Sequence, residues 1–156
     1  MRKKISILIF MLFSIQSLYS QGNKAVYGEL GGNGLVFSGN YDMRFGKGED
    51  GLGFRVGIGF AGVSGVSIFT FPVGLNYLTG KDAHHLEIGF GVTPITATTN
   101  VFGDRASGST VFFMPSFGYR YGKPGKGFVG RVYVGPVIVS GAVLFPWGGI
   151  SAGVKF

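Results

Sequence analysis

The residues in this chain that could do chemistry are few and scattered. Glu29, Asp42, Arg44, Arg55, Asn76, Glu87, Arg120 and Arg131 are the main polar groups of its repetitive body, with His85 and Lys155 at the margins. Both signs are present. Arg44 and Arg55 are eleven residues apart across Gly46-Lys47, and Arg120 and Arg131 are eleven apart across Gly122-Lys123. Asn76 and Glu87 share that spacing across Gly80-Lys81. Isolated charges held away from bulk water must be paired. These groups therefore read either as an interior ion-pair network or as a polar pathway.

Other chemistry finds little support. There is no Cys, so neither thiolate metal sites nor disulfides are available. His84 and His85 precede Glu87, but neighbouring side chains on a strand point to opposite faces and make a poor metal pair. Asp104, Ser107 and Ser109 lack a nearby His, which argues against a Ser–His–Asp hydrolase. Gly57-Ile58-Gly59 lacks the strand–helix context of a phosphate loop. No cofactor, metal or catalytic residue is expected.

The elements that must position the charges are strands. Leu52, Phe54, Val56, Ile58 and Phe60 alternate with Gly53, Arg55, Gly57 and Gly59. Phe71, Val73, Leu75 and Tyr77 alternate with Pro72, Gly74 and Asn76, and Val111 to Tyr121 follows the same period of two. Helix periodicity is missing, and 30 Gly disfavour helices. In a soluble sandwich the second face would be rich in Lys, Glu and Thr. Here it is mostly Gly with single charges, which suits the inside of a narrow barrel whose aromatic face meets lipid.

The expected fold is all-β: an eight-stranded antiparallel transmembrane β-barrel in an up-and-down meander. The strands fall at about 24–31, 34–45, 52–61, 68–79, 85–96, 110–121, 128–138 and 147–156, close to the length a tilted strand needs to cross the hydrocarbon. The Gly-Lys segments are expected as short periplasmic turns of three like hairpins. The connections at 31–34, 61–67, 97–109 and 139–146 then face outward. Gly31-Gly32-Asn33-Gly34 reads as a tight hairpin turn, and Ala97–Ser109 as the longest loop. Eight strands leave room only for side chains, so a filled lumen is favoured over an open channel.

Four prolines need a reason, because proline cannot donate to a ladder. Pro72, Pro94, Pro115 and Pro136 fall inside four consecutive strands at similar heights above the periplasmic turns. They mark either the outer rim or a belt of missing hydrogen bonds that lets the wall part for a lipid or apolar ligand.

Composition and the two ends concern location. Only 13% of residues are charged, while Phe and Tyr number 16 and 7, which is unlike a soluble or disordered chain. Arg2, Lys3 and Lys4 precede the apolar run Ile5 to Phe13 and a small-residue stretch ending at Ser20. Residues 1–20 read as a signal peptide, with residues 21–156 as the barrel domain. Without that peptide 11 Lys and Arg face 7 Asp and Glu, and no basic stripe suggests nucleic acid. Ile150, Ala152, Val154 and Phe156 resemble the terminal signal read by the outer-membrane barrel-assembly machinery. Outer-membrane lipid and that machinery are the expected partners.

The segments Tyr27 to Leu35 with Asn40-Tyr41-Asp42, Phe71 to Tyr77, Gly118-Tyr119-Arg120-Tyr121 and Pro146-Trp147-Gly148-Gly149, in that order, resemble a family of small Bacteroidota outer-membrane β-barrel proteins. The resemblance implies an outer-membrane, multi-pass barrel and supplies no activity. A structural or surface-interaction role is the leading expectation. A narrow transporter or lateral-access binder of a lipid or apolar ligand is the alternative, and a lipid-modifying enzyme the third.

Overall fold

A computed structural model describes residues 22–63, 65–101 and 104–156; residues 1–20 lie outside the described residues. Period-two alternation becomes nine strand segments: β1 (Lys24–Gly31), β2 (Phe37–Arg44), β3 (Gly51–Val63), β4 (Val66–Thr70), β5 (Val73–Lys81), β6 (His84–Val101), β7 (Asp104–Tyr121), β8 (Gly127–Val139) and β9 (Ala142–Lys155). All neighbours pair antiparallel, and β9 returns to pair with β1 from Ala25↔Lys155 to Gly31↔Gly149. β4 and β5 are two lengths of one wall strand, because both pair with β3 on one side and β6 on the other. The result is a closed barrel of eight wall strands with an unbroken meander order.

Closure sorts the side chains. Ile58, Phe60, Leu75, Ile88, Phe90, Phe117, Phe128, Val132 and Ile150 stand outward and exposed. Alternate positions point inward and are buried, among them Glu29, Asp42, Arg44, Arg55, Glu87, Arg120 and Arg131, with His85 and Lys155. A large apolar exterior around a polar interior is the arrangement required of a wall in lipid.

Several expected boundaries shift. The Ala97–Ser109 stretch is not a loop. β6 and β7 stay paired from His84↔Tyr121 to Val101↔Asp104. At about 3.3 Å per residue, each strand is about 60 Å long. Crossing needs only about 9–11 residues, so the Thr- and Ser-rich part stands clear of the wall as a tall polar hairpin. β4 flanks it through Val66↔Thr99 to Thr70↔Ile95. Continuous backbone pairing, available to Thr and Ser as readily as to apolar residues, explains the difference. The 139–146 connection also shrinks, to a two-residue turn at Ser140 and Gly141 with φ of 48° and 81°, the paired positive values a tight hairpin favours.

The three hairpins with eleven-residue spacing are not of one design. Arg120 and Arg131 lie directly opposite. Arg44 faces Gly53 while Arg55 faces Asp42, and Asn76 faces Gly89 while Glu87 faces Leu78. Their turns differ in length, and turn length sets register. The middle one reverses through Asp82 and Ala83 alone, since Lys81 faces His84.

A charge should be tolerated on the polar hairpin and not on the wall. Ile88→Arg is expected to cost about 2–4 kcal/mol if it faces mid-bilayer. Ser107→Arg should change stability by less than about 0.5 kcal/mol. Urea unfolding of both variants in lipid vesicles would check this; equal effects would move the bilayer boundary.

Candidate functional site: a closed polar lumen

The inward-facing charges meet in one network. Asp42 accepts from Arg44 Nη2 at 2.6 Å, from Arg120 Nη1 and Nη2 at 3.1 and 3.0 Å, and from Asn76 Nδ2 at 2.7 Å. Glu87 accepts from Arg120 Nε at 2.8 Å, from Arg131 Nε and Nη2 at 3.0 and 2.6 Å, and from Asn76 Nδ2 at 3.3 Å. Arg44 also donates to the Asn76 side-chain and backbone oxygens and to the Gly51 carbonyl. Glu29 accepts from Arg55 and Arg131 at 3.3 and 3.2 Å. The structure thus brings together all eight residues singled out from the sequence.

Four guanidinium groups face three carboxylates in this core. Two tyrosine rings cover part of the surplus. Arg131 lies 5.1 Å from the Tyr27 ring centroid and 4.7 Å from that of Tyr133, and Arg55 lies 5.6 Å from Tyr133. Cations over aromatic faces gain more when desolvated. Arg120 and Arg131 would repel one another across β7 and β8, but Glu87 accepts from both. Tyr27 and Tyr133 were missed from the sequence. Each lies two residues from an inward charge, so strand parity was the available signal.

Both mouths are stoppered. At the end that holds Lys24 and Lys155, the Gly46–Asp50 turn folds across the opening. Glu49 pairs with Lys155 at 2.5 Å and accepts the Gly125 N–H; Asp50 pairs with His85 at 2.9 Å. A cavity of about 20 Å³ remains beneath, lined in part by Asp42, Arg44, His85 and Arg120. That is room for about one water. His84 points outward onto Tyr119, away from His85.

At the opposite end Gly31-Gly32-Asn33-Gly34 does not face outward. It forms a 3₁₀ turn tucked into the lumen, with Gly32, Asn33 and Gly34 buried. The Asn33 N–H donates to Tyr133 Oη at 3.0 Å. Thr93 and Thr70 donate to the Asn33 and Gly34 carbonyls at 3.0 and 3.2 Å, and Trp147 Nε1 to the Gly32 carbonyl at 2.9 Å. Leu35 adopts φ of 68°, a strained value for a non-glycine residue, and packs on Phe112, Met114, Tyr133 and Val137. β2 therefore begins at Phe37, later than expected, because 32–36 is spent on the inward stopper. Those inner polar partners lie far away in sequence, so no local signal marked the turn.

The four prolines fall into two places. Pro72 separates β4 from β5, yet its carbonyl accepts from Gly57 N–H at 2.8 Å and Phe71 N–H donates to the Pro94 carbonyl at 3.1 Å. Bonds thus run through that break. Between β7 and β8 no rung joins residues 114–116 to 135–137 among the described residues. The β6–β7 ladder runs unbroken past both Pro94 and Pro115, so the four do not share one continuous gap. Ile150, Ala152 and Val154 lie on the outward face of β9, and the Phe156 N–H donates to the Lys24 carbonyl at 3.0 Å.

Enzyme-type constellations are not assembled from the sequence candidates. Asp104, Ser107 and Ser109 stand at the far end of the β6–β7 hairpin from His84 and His85. Among the described residues no group of three His, Cys, Asp or Glu could hold a metal ion.

No family model matches the sequence, and no curated protein matches it. Solved structures do share its fold. The N-terminal β-barrel domain of Pseudomonas aeruginosa OprF aligns with a TM-score of 0.67 at 12% identity, over 85% of this chain and 95% of that one. Neisserial surface protein A (NspA) aligns with a TM-score of 0.53 at 15% identity, over 85% and 92%.

Removing a shared carboxylate should leave Arg120 with Asp42 alone and Arg131 with Glu29 and Tyr27, a surplus of buried positive charge. Glu87→Ala is expected to destabilise the barrel by about 3–5 kcal/mol. Combining it with Arg131→Ala should cost clearly less than the two single losses added together. Equilibrium unfolding of the double-mutant cycle in vesicles would check this; strict additivity would mean that the pair is not coupled.

Proposed function

We propose that this chain is a bacterial outer-membrane β-barrel protein that works as a closed structural platform, presenting its tall β6–β7 hairpin at the cell surface. The observation that carries the reading is the lumen. A cross-linked ion-pair core lies between an acidic turn at one mouth and a buried 3₁₀ turn at the other, and all three oppose passage along the axis. The outward apolar wall, the likeness in fold to outer-membrane barrels and the order of the Bacteroidota-like motifs support location. A steady conducting pore is disfavoured by the filled lumen, and a hydrolytic enzyme by the separation of its candidate residues.

On this reading residues 1–20 act as the export signal, and the strand ending at Phe156 presents the pattern for barrel assembly. The short acidic turn faces the periplasm and the polar hairpin faces outside, since such barrels keep their longer connections on the outer side. Interaction with surroundings then falls to the hairpin, whose two Ser- and Thr-rich faces could hydrogen-bond a polar partner.

Orientation and exposure can be read with single cysteines, because the natural chain has none. In intact cells Ser107→Cys is expected to react with a membrane-impermeant maleimide, and Lys47→Cys only after the outer membrane is breached. The opposite pattern would invert the barrel and overturn a surface role for the hairpin. The platform reading also expects no steady current from purified protein in a planar bilayer.

A further inference from the structure

One patch of the wall combines absent hydrogen-bond donors with an apolar interior behind it. β7 and β8 hold the same register on either side of the gap, Phe113↔Ile138 and Phe117↔Val134. That register sets Pro115 directly opposite Pro136. The Pro115 carbonyl points at β8, where a Cβ on Gly135 would collide with its oxygen. This is therefore a rung at which each strand should offer the other an N–H, and neither proline has one. On the next strand the β8–β9 ladder slips between Gly135↔Trp147 and Val137↔Leu144, so Pro146 falls in the irregular stretch opposite Pro136. Three adjacent strands thus carry proline at one level. Above it, among the described residues, β7 and β8 are joined only at Phe113↔Ile138 and Phe112↔Val139.

Just inside the same stretch one side of the lumen is lined by apolar side chains. Phe112 and Met114 of β7 and Tyr133 and Val137 of β8 form a buried cluster, with Leu35, Ile95 and Val139 packed on it. The ion-pair network lies below and the 32–35 turn roofs it, so the side wall is its short route to the bilayer. The tip of the β8–β9 hairpin is apolar too, with Val143 and Leu144 well exposed. Met114, fully buried in the cluster, is a residue that repacks readily.

We infer that the β7–β8 seam at Pro115 and Pro136 is a lateral entrance through which one acyl chain of a membrane lipid enters the apolar upper lumen, with the β8–β9 tip as the flap that yields. The donorless rung weakens the wall locally. The stoppered mouths exclude an axial approach, and the lining selects an unbranched hydrocarbon over a polar ligand. The occupant is a lipid still in the membrane, because the opening faces the bilayer and not the aqueous side. This goes beyond the platform reading and survives or fails separately from it.

The test uses the intact protein in vesicles containing a phospholipid with a diazirine near the end of one acyl chain, and adducts are mapped by peptide mass spectrometry. Alternation along the strands makes the readout sharp. Adducts on inward Met114 and Val137, beside those on outward Phe113, Phe117 and Val134, are expected. Adducts confined to the outward residues would overturn the entrance. Pro115→Val combined with Pro136→Val restores both donors and should lower the inward yield at least tenfold, with the outward yield unchanged. Phe113→Cys with Ile138→Cys, bridged by a short bifunctional thiol reagent, should do the same, and its unbridged form controls for folding. Inward labelling that survives both closures would overturn the lateral route. Labelling by a diazirine fatty acid but not by the phospholipid would overturn the membrane lipid as occupant.

Discussion

Asp42 and Glu87 are the two anions on which the interior turns. Each accepts from two guanidinium groups, and the Asn76 side-chain amide donates to both. Eight strands close around a space that side chains alone can fill, so every inward charge must find its partner on another strand. The network ties together β2, β5, β6, β7 and β8, and Glu29 adds β1 and β3 through Arg131 and Arg55. It fixes strand order as firmly as the backbone ladder does. A one-residue slip would turn a whole set of charges into lipid.

The same constraint decides where function can reside. A lumen committed to ion pairs and closed at both mouths has no space to spare for passage along its axis. What varies around the barrel is the far rim, and it varies strongly. The β6–β7 side rises as a polar hairpin supported by β4. The β8–β9 side ends low, in a short apolar tip above a rung without donors. Two surfaces of opposite chemistry thus share one rim.

How much was legible follows from what each signal depends on. Period-two alternation is local, so strand count, inward parity and the identity of the lumen charges were all readable. Arg120 and Glu87 could be placed in one interior without knowing their partners. The 97–109 segment reads as a loop because Thr and Ser carry no apolar alternation, while pairing between backbones needs none. The equal spacing of three polar pairs suggests equal hairpins, but register depends on turn length, and the turn at Asp82 and Ala83 is shorter than the others. Glu49 and Asp50 carry no local sign of the partners, Lys155 and His85, that make them the bars across one mouth.

By itself the amino-acid sequence determined the kind of surface each strand face presents, because side-chain polarity and a period of two are properties of the chain alone. It thereby determined a barrel with an apolar exterior and a charged interior. Only the tertiary structure decided which charges share a carboxylate, that Asn33 and Leu35 turn inward to roof the lumen, and that Pro115 meets Pro136 while Pro72 is stitched on both sides. Those outcomes depend on register between strands far apart in sequence, and register is settled by the closing of the whole ring.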